Sequence, residues 1–199
     1  AKVLGVSAKN RQGFIENDTW IVTWTVGHLV TLSYPEKYNT VLKEWKMDTL
    51  PFIPDNYKYE IIDVTKKQFE VVKSLYNRPD ISTIYYAGDS GREGLYIQML
   101  VRMLAGHNPQ AQEKVVWINS QTEDEILNGI SEAKSLTEYK NMSDAGYMRG
   151  IADYLVGINF SRILSILYAP MLNTGSSQKN RVPISIGRVM TCVLGMVVR

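Results

Sequence analysis

The sequence predicts an α/β fold, a parallel sheet with flanking helices, followed by a helical segment. Strand-like and helix-like segments alternate between residues 57 and 133, which is typical of parallel strands joined by crossover helices. No residue strongly interrupts a helical pattern between residues 138 and 168. We therefore expect an α/β domain over residues 1–138 and the start of a helical domain over residues 139–199.

The elements of the first part follow from composition and from capping patterns. Segments rich in β-branched or aromatic residues predict strands at 20–26, 57–62, 81–87 and 115–118. Three prolines between residues 33 and 56 predict a loop with short pieces of structure. Helices are expected over 65–77, 92–105 and 122–133. The first and third of these helices begin with a capping-box pattern at Thr65 and Thr122.

The second part is expected to be helical. A third capping box at Ser135 opens a helical stretch that continues to Tyr168. Small polar residues over 173–180 predict a mobile connection, and a last helix is expected to begin near Ser185.

Composition excludes several classes of function. No apolar run approaches the roughly 18 residues of a membrane span, so we expect no membrane partner. Cys192 is the only cysteine, which fits a reducing, cytoplasmic compartment. One cysteine and two histidines are too few for a zinc site, and neither a Walker A loop nor a serine-triad motif is present.

Charge is distributed unevenly along the chain. Residues 1–139 carry 15 Lys and Arg against 18 Asp and Glu, whereas residues 140–199 carry 7 against 2. The basic charge of the second part is mostly arginine, which suits bidentate contact with phosphate. A solvated basic face would give the same charge balance, so charge alone leaves both interpretations open.

The most informative segment runs from Ile84 to Gly94. An apolar, β-rich run ends at Asp89, two small residues follow, and Arg92 and Glu93 open the next helix. This order predicts that both acids lie at the carboxyl edge of the sheet, where α/β folds bind ligands. Two carboxylates with an arginine between them suit a Mg²⁺ ion that meets a phosphate. They would equally suit a surface turn whose acids favour a helix N-terminus.

The helical stretch carries the polar residues Arg149, Asp153, Asn159 and Arg162. The spacing of four between Arg149 and Asp153 is that of an ion pair on a helix surface. The same residues would also form a polar face that grips a DNA backbone.

Two further places are candidates for chemistry. His28 follows a tryptophan-bearing strand and is either a structural or a functional histidine. Ser185 and Arg188, three residues apart at a predicted helix start, offer a hydroxyl and a guanidinium beside backbone N–H groups, a combination that binds phosphate.

Four segments, in order along nearly the whole chain, match the motifs of one family. Residues 24–29 (WTVGHL) resemble a TW-x-GHL element, and residues 89–94 (DSGREG) resemble the D-x-D-R-E-G motif of the TOPRIM domain. Residues 149–162 resemble an R-x-x-x-D-W-L-x-G-I-N-x-[TS]-R helix, and residues 185–191 resemble S-x-G-R-V-Q-T. Together they resemble the type IA DNA topoisomerases, of the topoisomerase III branch.

The resemblance implies a TOPRIM (Rossmann-like) domain and a Mg²⁺-dependent enzyme that cuts, passes and religates single DNA strands through a tyrosyl-phosphate link. By resemblance, Asp89 and Glu93 would be the metal ligands, and Glu93 and Arg92 would act in catalysis, Arg92 as a phosphate contact. The residues expected to line a single-stranded DNA groove are His28, Arg149, Asp153, Asn159, Arg162, Ser185 and Arg188. The expected partners are DNA, mainly single-stranded, and the remainder of the topoisomerase chain.

Three features depart from the family pattern. The second acid of the TOPRIM motif is Gly91 here, which removes one possible metal ligand. The family's first strand, with its glutamate, would lie before Ala1. The tyrosine nucleophile would lie downstream, since Tyr147, Tyr154 and Tyr168 do not fit its context. We therefore expect a truncated fragment that cannot relax DNA alone.

Two other functions remain open at this point. Another TOPRIM enzyme, such as a primase or nuclease, would share Asp89 and Glu93 but not the 149–162 and 185–191 elements. A non-catalytic DNA-binding module would use only the basic second part.

Overall fold

The protein has a mixed α/β structure, which confirms the predicted class. The computed structural model describes residues 1–7, 13–106, 108–172 and 182–198. The strands are β1 (Phe14–Glu16), β2 (Ile21–Thr23), β3 (Val30–Leu32), β4 (Tyr59–Ile61), β5 (Thr83–Tyr86), β6 (Gln112–Val115) and β7 (Lys134–Ser135). The α-helices are α1 (Lys66–Tyr76), α2 (Arg92–Ala105), α3 (Glu123–Ser131), α4 (Lys140–Leu172) and α5 (Arg188–Val197). The predicted connection over 173–180 and the side chains of His107 and Arg181 lie outside the described residues.

The chain divides into two compact units. The first unit comprises Ala1–Thr31 and Glu60–Tyr147, and the second comprises Leu32–Tyr59 and Met148–Arg199. This division describes compactness alone, so the predicted domain boundary after residue 138 stays a prediction.

The sheet of the first unit is partly parallel. Strands β5 and β6 pair in parallel, with Tyr86 opposite Val115, and α2 connects them. Strand β7 joins β6 in the antiparallel sense. Strands β1 and β2 form a separate antiparallel pair, and β3 pairs with β4. The β5–α2–β6 unit has the expected form, whereas the complete TOPRIM sheet stays a prediction.

The core of the first unit lies between α2 and the sheet. Leu95 and Met99, one turn apart on α2, pack against Tyr86 of β5 and Val115 of β6, and all four side chains are buried. Helix α2 ends at Gly106, whose positive φ of 101° is a conformation that side chains disfavour. The strand and helix that flank Asp89 are therefore fixed by one continuous apolar cluster.

A polar node ties α2 to β6 beside this core. Arg102 donates from Nε and Nη2 to the two carboxylate oxygens of Glu113, at 2.6 and 2.7 Å, and the Tyr86 hydroxyl donates to the same carboxylate at 2.6 Å. The Glu113 side chain is only 12% exposed, and the bidentate ion pair with Arg102 compensates its desolvated carboxylate charge. Burial also raises the pKa of the nearby Tyr76 to about 12.

Several sequence predictions are wrong in detail. The strand expected at 115–118 is β6 at 112–115, because the buried apolar run continues past the end of the hydrogen-bonded ladder. The hydroxyls of Thr65 and Thr122 do not cap their helices. The Thr65 hydroxyl instead donates to the Ile62 carbonyl at 3.1 Å. The last helix begins at Arg188, three residues after the expected start.

The expectation that no apolar run approaches the length of a membrane span is wrong for helix α4. The segment Leu136–Leu172 is long and apolar enough to cross a membrane, with a window of mean hydropathy 1.5. The polar side chains of Asn159, Ser161 and Ser165 in this helix hydrogen-bond to other protein segments.

Candidate functional site

The loop that carries Asp89 lies at the carboxyl edge of the β5–β6 sheet, as predicted. The Val116 N–H donates to the Tyr86 carbonyl at 3.0 Å, which continues the parallel pairing to the end of β5. The Ser90 hydroxyl accepts a hydrogen bond from the Ile118 N–H at 2.9 Å. These two bonds hold the 87–91 loop beside the residues that follow β6.

A close backbone contact sets the turn between Asp89 and α2. A Cβ built on Gly94 would lie 2.2 Å from the Asp89 carbonyl oxygen and 2.9 Å from its carbonyl carbon. Only glycine permits this approach without a backbone shift. Gly94 therefore packs the first turn of α2, which bears Arg92 and Glu93, directly against the backbone of Asp89.

His28 contacts Glu93 across 65 residues of sequence. Its Nε2–H donates to Glu93 Oε1 at 3.0 Å. Gly27, with a φ of 84°, makes the turn before His28, and Leu29 and Val30 after it are fully buried. The His28 ring meets the buried Tyr96 edge-on, with ring centroids 6.1 Å apart. A rigid anchor and an aromatic neighbour thus orient the imidazole towards the carboxylate.

The exposed acids beside α2 are those that the sequence predicts as Mg²⁺ ligands, and the metal site stays a prediction. Asp89, Arg92 and Glu93 are all exposed, and Asp89 borders a narrow pocket with Gly88, Gln98 and Val116. Among the described residues no group of three His, Cys, Asp or Glu side chains could hold a metal. Mg²⁺ keeps several waters and needs only one or two carboxylates when phosphate completes its shell. Asp89 and Glu93 would be those carboxylates.

Gly91, the departure from the family motif, has space for a side chain. Its φ of −175° and ψ of 169° are extended values that any residue adopts. A Cβ placed there would meet nothing within 4 Å. Gly91 is also the N-cap of α2, and no side chain caps the helix there. Neither packing nor backbone geometry requires glycine at this position.

In the second unit, Asp153 joins two of the predicted motifs. Arg188, the first residue of α5, donates from Nε to Asp153 Oδ1 at 2.6 Å. Arg149 Nε lies 3.7 Å from the other carboxylate oxygen. The Arg188 guanidinium holds the pKa of Asp153 below its ordinary value. The predicted ion pair on the helix is present, and the tighter partner comes from a distant segment.

Asn159 is buried and engaged with protein backbone. Its Oδ1 accepts from the Phe52 N–H at 2.6 Å, and its Nδ2 donates to the Phe52 carbonyl at 2.9 Å and to the Leu155 carbonyl at 3.0 Å. The amide therefore clamps the 33–59 segment to α4. Contact between Asn159 and DNA stays a prediction, and in this structure its polar atoms bind protein.

Arg162 is a buried cation beneath an aromatic ring. Its residue is 3% exposed, and its Nε and Nη1 find no hydrogen-bond partner among the described residues. The guanidinium carbon lies 5.4 Å from the ring centroid of Trp45, which is 42% exposed. Burial lowers the pKa of Arg162, because the charged form has lost water.

Two serines of α4 hold the segment that carries Ser185. The Ser161 and Ser165 hydroxyls accept from the Ile186 and Ile184 N–H groups, each at 2.8 Å. The two serines are four residues apart on a helix, a rise of about 6 Å. The two isoleucines are two residues apart in an extended segment, a distance of about 6.6 Å, so each serine can reach one N–H group. Ser185 lies between the two anchored residues and is exposed.

Burial opposes ionisation at two of the three tyrosines that the sequence argued against as nucleophiles. The Tyr154 hydroxyl donates to the Ser33 carbonyl at 2.7 Å, and burial raises the pKa of Tyr154. Burial also raises the pKa of Tyr147, whose ring packs edge-on against Tyr96 at 5.3 Å. Tyr168 is 49% exposed.

The sequence analysis did not single out Trp45 or Ser165. Trp45 stands between two charged residues in a proline-rich segment, a setting that is unusual for a core tryptophan. Ser165 follows Ser161 by one helical turn on an apolar helix, and that i, i+4 pair was the available signal.

Comparisons with known proteins confirm the resemblance to DNA topoisomerases. Residues 137–199 match the model of a family described as DNA topoisomerase. The chain is 39% identical over 178 residues to the DNA topoisomerase 3 of Staphylococcus saprophyticus, covering 89% of this chain and 25% of the relative. It is 37% identical over 191 residues to the DNA topoisomerase 3 of Bacillus subtilis, covering 96% of this chain and 24% of the relative. The chain thus spans about a quarter of the length of these relatives.

Proposed function

We propose that this chain, a relative of the bacterial DNA topoisomerase 3 proteins over nearly its whole length, is part of a type IA DNA topoisomerase. The intact protein would cut one DNA strand through a tyrosyl-phosphate link, pass a second segment and religate, in the bacterial cytoplasm. The contact between His28 and Glu93 carries this proposal, because it joins two family motifs that lie 65 residues apart in sequence.

The first unit would hold a divalent cation against the DNA backbone. Asp89 and Glu93 would supply its carboxylate ligands, and Mg²⁺, when bound, would neutralise charge on the phosphate at the break. His28 orients Glu93 through the Nε2–Oε1 hydrogen bond. Arg92 stands at the positive end of α2 and would contact a phosphate oxygen. In this assignment the TOPRIM motif functions with two acids rather than three.

The second unit would bind single-stranded DNA. Arg149 and Arg188 flank Asp153, and the net charge around this carboxylate is positive. Asp153 fixes the directions of both guanidinium groups, which suits bidentate contact with phosphate. The exposed Ser185 hydroxyl would add a neutral donor.

The nucleophile would come from the remainder of the topoisomerase chain. The environments of Tyr147 and Tyr154 oppose ionisation of their hydroxyls. The chain of 199 residues is therefore expected not to relax DNA by itself.

Relaxation of a negatively supercoiled plasmid by the intact protein, measured against Mg²⁺ concentration, tests the proposal. Glu93→Gln keeps the size of the side chain and removes the charge, and we expect at least about a hundredfold loss of activity. Glu70→Gln, at an exposed position on α1, is the matched control and should relax DNA normally. Undiminished relaxation by Glu93→Gln would remove Glu93 from the catalytic site.

A further inference from the structure

The strongest unexplained feature of the second unit is the Arg162 guanidinium. It is buried, two of its nitrogens lack partners among the described residues, and Trp45 covers it at 5.4 Å. Buried arginines are normally paired with carboxylates, because desolvated charge is costly. Here part of the compensation comes from the face of the ring, whose quadrupole attracts a cation, and part from the charge of Glu36. Glu36 and Tyr154 act on Arg162 only through longer-range electrostatics.

Trp45, the aromatic partner of Arg162, is partly exposed to solvent. It lies between the 3-10 helices Thr40–Lys43 and Met47–Thr49, beside the exposed ion pair of Glu44 and Lys46. Arg162 is only 3% exposed, whereas Trp45 above it is 42% exposed. Trp45 therefore contacts both the buried cation and solvent.

An exposed indole above a buried cation is suited to stacking with a nucleobase. Unpaired bases stack on aromatic side chains, and arginine strengthens such platforms through cation–π contact. The phosphate attached to a stacked base would bring negative charge towards a cation that lacks an anionic partner among the described residues. The charge beneath the ring is thus complementary to nucleic acid and not to a basic or an apolar partner.

We propose that Trp45, backed by Arg162, is a stacking platform for one unpaired base of single-stranded DNA. This inference rests on the proposed function of the chain and adds a base contact to it. Arg162 acts through the ring as a positioning residue and not through direct contact with phosphate. Asn159 supports the platform, because its clamp on Phe52 fixes the segment that carries Trp45.

If Trp45 stacks on a base, the loss of affinity caused by removing that base should depend on the Trp45 side chain. The experiment measures binding of a short oligothymidylate to the intact protein by fluorescence anisotropy, with an abasic site placed at each position in turn. One abasic position should weaken binding to the wild type about tenfold, a value within the range for base–aromatic stacking. With Trp45→Ala the same abasic site should have no further effect, as a double-mutant cycle requires.

Two matched variants separate stacking from a structural role. Trp45→Phe keeps an aromatic face and should retain part of the abasic effect. It replaces Trp45→Ala in the experiment if that variant does not fold. Tyr34→Ala removes an exposed aromatic side chain, 59%, that lies outside the motifs and covers no cation among the described residues, and it should leave the abasic profile unchanged.

The outcomes distinguish this inference from the proposed function. If Trp45→Ala binds the oligonucleotide as the wild type does, or binds more weakly at every position without losing the abasic effect, the platform is refuted and the DNA-binding function stands. If the wild type binds no single-stranded DNA, the proposed function itself fails. Coupling with an oligouridylate but not with the oligothymidylate would overturn the assignment to DNA and indicate RNA.

Discussion

Replacement of Gly91 by aspartate would restore the acid that the family motif has at this position. The backbone at Gly91 is extended and a Cβ meets nothing within 4 Å, so the substitution introduces no strain. The new carboxylate would stand at the N-cap of α2, between Asp89 and Glu93 in sequence. Aspartate is a favoured N-cap residue, and its gain over glycine is a few tenths of a kcal/mol.

The expected gain in metal affinity follows from Coulomb's law. Two unit charges 4 Å apart in water interact by about 1 kcal/mol, so one more carboxylate attracts a divalent cation by about 2 kcal/mol. Repulsion from the two existing acids is present both with and without the metal, so it cancels from the free energy of binding. Gly91→Asp should therefore tighten Mg²⁺ binding by about thirtyfold.

Isothermal titration calorimetry of the intact protein with MgCl₂ measures this change. Gly91→Asn is the matched control, because asparagine has the same shape, also caps helices and carries no charge. Its dissociation constant for Mg²⁺ should stay within about twofold of the wild type. The reasoning is refuted if Gly91→Asp and Gly91→Asn bind Mg²⁺ equally, because a third acid beside a genuine site cannot be without effect.

Three further predictions concern the contacts that hold the site. Gly94→Ala should destabilise the protein by about 1–3 kcal/mol in urea unfolding, because the Cβ would lie 2.2 Å from the Asp89 carbonyl oxygen; Gly91→Ala should change little. Asn159→Ala should cost about 2–4 kcal/mol, because it leaves the Phe52 N–H and C=O without their partners; loss below about 0.5 kcal/mol would argue against the clamp. The Asp153–Arg188 pair lowers the pKa of Asp153 in the folded state, so its contribution is complete above the unfolded value of about 3.9 and is lost as pH falls through the lower folded value. The stability difference between wild type and Asp153→Asn should be under about 1 kcal/mol at pH 7, since the pair is exposed, and should disappear once the pH falls below the lowered pKa of Asp153; a difference that grows in acid would contradict this.

The sequence predicted those features that depend on local patterns. Helix α2 begins and ends at the predicted residues, because its apolar residues recur at helical spacing and glycines stand at both ends. The position of Asp89 after a strand followed from the same local reasoning. Capping boxes were less reliable, since the Thr65 hydroxyl has a nearer acceptor in the Ile62 carbonyl.

Contacts between distant residues were beyond the reach of the sequence. The motif of His28 and that of Glu93 were each visible, but only the fold of the first unit places their side chains 3.0 Å apart. Asn159 and Arg162 were assigned to a polar face that grips DNA, and the structure buries both. Helix α4 has polar residues on an otherwise apolar surface, so its sequence does not reveal which of them face protein.

The central claim is that Asp89 and Glu93 hold a divalent cation against a DNA phosphate. Mn²⁺ can replace Mg²⁺ in such oxygen sites, and its electron spin couples to a phosphorus nucleus in an adjacent phosphate. The most direct measurement is therefore the ³¹P hyperfine coupling of Mn²⁺ bound to the intact protein with a single-stranded oligonucleotide. We predict a resolved coupling in the wild type that is lost in Asp89→Asn combined with Glu93→Gln, while the oligonucleotide still binds. An unchanged coupling in that double variant would contradict the account.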